Sequence, residues 1–203
     1  MAFDHRKFPE MVPHSFERIC KEVKTGDLLL CSGTGSFSEI IKNVTESEFS
    51  HVGFIVRMNT IDRIFVFESV ESTGVRPVVL RSYVNNYLGS GKGYPGRVMI
   101  ARNAKFAECA DVKKFVQFGA DHFSYPFDED EIMRIMGRIF ASKLGLTHDE
   151  FKRDKEYICS EYVFEAFKAV GIHYAHDPRG FILPSDFPRD PDTFPVAVVA
   201  VEQ

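Results

Sequence analysis

Apolar positions recur along the chain with two periods, and the switches between them mark the elements. Over residues 13–24, Phe16, Ile19, Cys20 and Val23 share one face of a short amphipathic helix. Thr25-Gly26-Asp27 turns the chain into Leu28-Leu29-Leu30-Cys31, an apolar run too short for a helix and read as a buried strand. After a Gly-rich loop, Ser32 to Ser36, a helix runs through Ile40 and Ile41 with Ser36 or Ser38 as its cap. Two β-rich runs, 50–58 and 63–70, flank the short polar connection Asn59 to Asp62 and predict a hairpin. Pro77 makes Val75–Leu80 an edge strand, Ser82 caps a short helix through Tyr83, Val84, Tyr87 and Leu88, and 97–102 is a further strand. A helix over 105–120 places Cys109, Val112 and Val116 inside, and a second over 129–144 uses Ile132, Ile135, Met136, Ile139 and Phe140. The charged residues 147–156 read as a solvated loop. From Glu156 to Gly171 the pattern is again helical, with Val163, Phe167 and Val170 behind Cys159 and Gly171 as its left-handed terminator. A Pro-rich segment follows, and Pro195 to Val201 is a last strand. No repeat or linker divides the chain, so residues 1–203 are expected to form a single domain.

Composition narrows the function classes. Lys plus Arg number 25 and Asp plus Glu 29, and the formal net charge of −4 offers no footprint for nucleic acid. No apolar run approaches the length needed to cross a bilayer, and the N-terminus lacks a signal-type apolar stretch, so integral membrane association is not expected and a cytoplasmic location is. The four cysteines, Cys20, Cys31, Cys109 and Cys159, contain no C-x-x-C pair and read as free thiols of a reducing compartment. The 20 Phe and 7 Tyr point to an aromatic core and an aromatic-lined cleft. No cofactor is indicated. The loop Ser32 to Ser36 lacks the Lys of a phosphate-binding loop and is not a complete dinucleotide fingerprint. His173 and His176 lack a third ligand at a recognisable spacing, so no metal is expected.

Chemistry is suggested by three residues. A thiol in the first turn of a helix sits where unclaimed N–H groups and the macrodipole favour an anion, although in isolation a buried core cysteine is the commoner explanation of such a residue. In the hairpin, pairing Met58 with Arg63 sets Gly53 opposite Glu68 and leaves His51 and Glu68 as diagonal neighbours on one face, about 7–8 Å apart at the backbone. A slip of one residue would separate them onto opposite faces. Glu68 lies in a run of Ile, Phe and Val and needs a partner when buried, and His51 is the nearest one; read alone, the pair is also what a half-buried hairpin with a satisfied histidine would show. Gly53 leaves room on that face for another group. Together a thiol, an imidazole and a carboxylate are the three types that nucleophilic thiol chemistry requires, and the N–H of Cys159 is a ready oxyanion donor.

Gly26-Asp27-Leu28-Leu29-Leu30, Phe49-Ser50-His51-Val52-Gly53, Phe67-Glu68-Ser69 and Tyr157-Ile158-Cys159-Ser160-Glu161-Tyr162-Val163 resemble the circularly permuted branch of the NlpC/P60 superfamily. This is the YiiX/YaeF-like group of papain-like cysteine amidases and peptidases, related to lecithin retinol acyltransferase-like proteins and a poxviral homologue. His51 precedes Cys159, which is the permuted order, and Ser124-Tyr125-Pro126-Phe127-Asp128 is similar to the aromatic-Asp segment ahead of the cysteine helix in that group. The resemblance implies an α+β fold, with an antiparallel, partly barrel-like sheet packed against the cysteine-bearing helix. It implies Cys159 as nucleophile, His51 as base and Glu68 as orienting residue in a hydrolase that cleaves a small peptide or amide, cell-wall fragments among the candidates. The related acyltransferases use a second histidine where Glu68 stands, so transfer of lipid acyl groups, or a phospholipase-like activity, is the second reading and an inactive binding module the third. Thr34, Gly35 and Tyr125 are expected to line the cleft, with packing or helix capping as their alternatives.

Overall fold

β1 (Leu28–Gly33) is buried at every position and is the strand on which the others assemble. It pairs on one side with β2 (His51–Met58) and on the other with β5 (Gly96–Asn103). β3 (Arg63–Val70) and β4 (Gly74–Val79) extend the sheet beyond β2, and β6 (Thr193–Val199) extends it beyond β5, giving the order β4-β3-β2-β1-β5-β6 with every pair antiparallel. The structure, a computed structural model, describes residues 6–109, 111–127, 137, 158–176 and 181–202. The helix expected over 129–144 and the charged loop 147–156 fall outside these, apart from Gly137. Among the described residues the sheet is open, with β4 and β6 as its edges; the partly barrel-like closure implied by the family resemblance is not there, and the fold is α+β.

Alternate residues of the central strands serve two cores, as the pleat requires. Leu28, Leu30, Val52, Phe54 and Phe67 face one side, where α5 (Val112–Asp121) and α6 (Cys159–Ala169) cover them. Leu29, Cys31, Ile55 and Val66 face the other, beneath Ile19 of α1 (Phe16–Glu22) and Leu80 and Tyr83 of α3 (Leu80–Asn85). Each edge strand carries a proline. Pro77 sits in β4, and Pro195 in β6 lies where the register shifts between Ile100 and Ala101, an irregularity suited to a residue without an N–H.

Three helix starts differ from the expected ones. The helix after the Gly-rich loop is α2 (Ser36–Thr45), and its N-cap is Gly35 rather than Ser36 or Ser38. α3 begins at Leu80, so Ser82 lies inside it and not at its cap. The single helix expected over 105–120 is two, α4 (Phe106–Cys109) and α5. The Asp111 carboxylate accepts from the Lys114 N–H, and this cap restarts the helix in a new phase. Phe115 and Gly119 therefore face inward, while Val112 is exposed. The Cys109 side chain is outside the described set.

The hairpin register is the expected one over Phe54–Met58, with Met58 paired to Arg63. Gly53 is close-packed as a result: a Cβ there would lie 2.8 Å from Cγ1 of Val66 and 3.0 Å from the Phe67 carbonyl oxygen. Because a backbone oxygen cannot move aside as a side chain can, Gly53→Ala is expected to destabilise by about 1–3 kcal/mol, measured as a lower urea midpoint at unchanged m-value.

Candidate active site

α6 is buried along nearly its whole length, from Cys159 to Phe164 and at Ala166 and Phe167. Its end is fixed by the Gly171 N–H donating to the Lys168 carbonyl and the Ile172 N–H to the Phe167 carbonyl, with Gly171 at φ +84°. This is a Schellman terminus, with Ile172 and Phe167 in the same core. Side chains hold the helix on both flanks: the Tyr162 hydroxyl donates to the Gly119 carbonyl at 2.8 Å and the Ser160 hydroxyl to the Ile182 carbonyl at 2.7 Å. Gly119 is a close approach, since a Cβ there would meet Phe67 and Phe54 within 3.0 Å. So anchored, α6 presents Cys159 as its first residue, with Ile158 as N-cap. The Cys159 N–H belongs to the first turn, where no intrahelical carbonyl can reach it.

His51 opens β2, and Ser50 just before it fastens the strand end: its hydroxyl accepts from the Gly33 N–H at 3.0 Å, and its own N–H donates to the Cys31 carbonyl. His51 Nε2 lies 2.9 Å from Glu68 Oε2, so Nδ1 is the ring nitrogen left for the thiol, and His51 and Cys159 line the same cleft. The structure thus brings Cys159 and His51 to one cleft, with Glu68 held against the ring.

Glu68 is completely buried and has further partners. Arg76 sits directly across from it on β4 and donates through Nε and Nη2 to Oε1, at 3.0 and 2.9 Å. The Tyr83 hydroxyl, from α3, donates to Oε2. Burial by itself would push the Glu68 carboxyl up, but the hydrogen bond and charge of His51, the charge of Arg76 and the Tyr83 hydroxyl outweigh it and hold the group below its ordinary value. Burial likewise opposes charge on His51; the hydrogen bonds and negative charge of Cys159 and Glu68 prevail and raise the ring from 6.5 to about 10. Cys31, paired with His51 across β1 and β2, is held well above the usual thiol range by burial, and burial also raises Cys20.

A stability dependence follows from His51. Its folded value lies above its unfolded one, so the contribution is fully present below about pH 6.5 and declines as pH rises towards about 10. Wild-type protein is expected to lose melting temperature across that interval more steeply than His51→Ala, as thermal melts at several pH values will read.

Cys159 and His51 open into a cleft of about 450 Å³ whose walls include Phe37, Ser38, Ile41, Tyr87, Tyr94 and Phe127. Thr34, Gly35 and Tyr125 are placed elsewhere. The Thr34 hydroxyl donates to the Pro95 carbonyl, Gly35 caps α2 with open space around it, and the Tyr125 ring packs on His122 while its carbonyl accepts from the Val75 N–H of β4. The sequence pattern gives Arg76 no role at the site and places Tyr83 only in a short helix. Extending the β3–β4 register from Val70 opposite Gly74 would have put Arg76 across from Glu68; no local pattern brings α3 over that face. His173 is exposed and His176 packs against Phe164, and among the described residues no group of three or more His, Cys, Asp or Glu side chains is arranged to hold a metal. Also among the described residues, no helix is long and apolar enough to cross a membrane.

Residues 22–183 match the family model described as permuted papain-like amidase enzyme, YaeF/YiiX, C92 family. Among solved structures the chain is similar to the crystal structure of metalloprotein yiiX from Escherichia coli O157:H7, with a TM-score of 0.60 and 19% identity over 87% of this chain and 97% of that one. At that identity the likeness speaks for the fold. No curated protein matches the sequence.

Proposed function

The chain belongs to the permuted papain-like amidase family, cysteine hydrolases of amide or peptide bonds, and from that premise we propose that Cys159, His51 and Glu68 are its catalytic triad and a small peptide or amide, such as a cell-wall fragment, its substrate. The observation that carries this reading is the His51 ring, which shares a cleft with the Cys159 thiol and is hydrogen-bonded through Nε2 to a buried carboxylate. A ring that stays protonated to about 10 is suited to pair with a thiolate and then to give up its proton.

In the proposed cycle the Cys159 sulfur attacks the carbonyl carbon, and the C=O pair moves onto oxygen, towards the Cys159 N–H. The tetrahedral adduct collapses as the C–N bond breaks and the His51 proton passes to the departing nitrogen, leaving a thioester on Cys159. Water then attacks the thioester, the neutral ring takes a proton from it, and the carboxylic acid leaves as the thiolate–imidazolium pair is restored. Glu68 holds Nε2 throughout, so the ring cannot turn its reactive nitrogen away from the sulfur.

The aromatic cleft favours a second reading, transfer of a lipid acyl group through the same thioester. Acid-quenching turnover of peptide amides and of acyl lipids, followed by intact mass and peptide mapping, separates the two. A peptidyl adduct on Cys159 is expected. A fatty-acyl adduct would transfer the assignment to the second reading, and no adduct on Cys159 with either substrate would sink both.

A further inference from the structure

Glu68 is a fully buried carboxylate whose histidine partner changes charge during the cycle proposed above. When His51 has given its proton to the leaving group, the ring is neutral and its charge no longer offsets that of Glu68. Among the described residues, the charged and titratable groups facing Glu68 are His51 from β2, Arg76 from β4, Tyr83 from α3 and, further off, Tyr87, Tyr94 and Cys31. Burial holds the tyrosines and Cys31 in their neutral forms. Among the described residues facing the carboxylate, Arg76 is therefore the one whose positive charge persists through every step.

Its geometry divides the carboxylate in two. Arg76 donates from both Nε and Nη2 to Oε1, so two N–H groups of the guanidinium converge on that one oxygen. Oε2 is left to His51 Nε2 and the Tyr83 hydroxyl. An edge-strand arginine would ordinarily extend into water, whereas Arg76 is largely buried, its side chain 19% exposed. We propose that Arg76 is a positioning residue of this site: its fork on one oxygen of Glu68 keeps the carboxylate ionised and oriented, so that the other oxygen holds His51 whether the ring is charged or neutral. The inference rests on the triad reading.

The test is the pH profile of iodoacetamide labelling at Cys159, followed by peptide mapping, in wild type, Arg76→Ala, Arg76→Gln and Arg76→Lys. Without the guanidinium, Glu68 binds a proton more readily and releases the ring. In Arg76→Ala and Arg76→Gln the acid limb of Cys159 labelling is expected to move to higher pH, with several-fold slower labelling below about pH 6 and little change above about pH 8. Arg76→Lys, which keeps the charge but not the fork, is expected to hold the limb near its wild-type position, and added guanidinium ion to restore it in Arg76→Ala. A role in folding alone would lower melting temperature without moving the limb. Should Arg76→Ala not fold, Arg76→Gln carries the comparison. Wild-type labelling that favours Cys159, together with the same limb in all the Arg76 variants that fold, would overturn this inference and leave the triad standing; wild-type labelling that does not favour Cys159 over Cys20, Cys31 and Cys109 would remove the triad itself.

Discussion

Replacing Cys159 by alanine is expected to lower hydrolysis by about 10⁴-fold or more while the protein folds and melts much as before. Loss of the nucleophile from a triad removes the covalent route altogether, and what persists comes from substrate binding and oxyanion donors. The structural change is small: one sulfur leaves a nearly buried position at the start of a helix held elsewhere by Tyr162, Ser160 and the Gly171 terminus. Steady-state rates on an amide that the wild-type enzyme cleaves, beside thermal melts, will read the two effects apart. Full activity in Cys159→Ala would mean that the cleft works by other residues.

The second large effect concerns folding as much as rate. Glu68→Ala leaves His51 and Arg76 facing a hole where their shared carboxylate was, and breaking a buried ion pair by removing one partner costs about 3–5 kcal/mol. Activity is expected to fall with it, because the ring loses its anchor at Nε2. Changing both Glu68 and Arg76 to leucine should return much of the stability, since apolar groups of similar volume often replace a buried pair without loss. Activity should not return with it. Denaturant titrations of Glu68→Leu, Arg76→Leu and the double variant form a cycle that separates the electrostatic role of the pair from its role in turnover. A Glu68→Ala protein as stable and active as wild type would contradict both parts.

How far these residues could be read from the sequence depended on the range of the interaction. The β2–β3 hairpin is local: one assumed pair, Met58 with Arg63, sets the register and brings His51 towards Glu68. The Gly171 terminus is local too, because a left-handed residue at that point needs only glycine. The split near residue 110 is also local: the Asp111 cap resets helical phase within a stretch whose apolar spacing alone runs on as one helix. Other features were beyond any local pattern. Tyr83 reaches Glu68 because α3 folds back across the sheet, and Tyr87 and Tyr94 line the cleft from segments between α3 and β5. The open sheet likewise reflects where β4 and β6 end up, which alternation along a strand does not report. The polar contacts that complete Glu68 are thus tertiary, whereas Cys159, His51 and Glu68 themselves lay in segments with strong local signatures.

Labelling kinetics test most directly whether His51 activates Cys159. Under pseudo-first-order iodoacetamide near neutral pH, Cys159 should react much faster than Cys20, Cys31 and Cys109, the more so because burial raises both Cys20 and Cys31. His51→Ala should bring Cys159 down towards the rate of the others. Equal, slow labelling of all four thiols in the wild type, or a Cys159 rate untouched by His51→Ala, would contradict that activation.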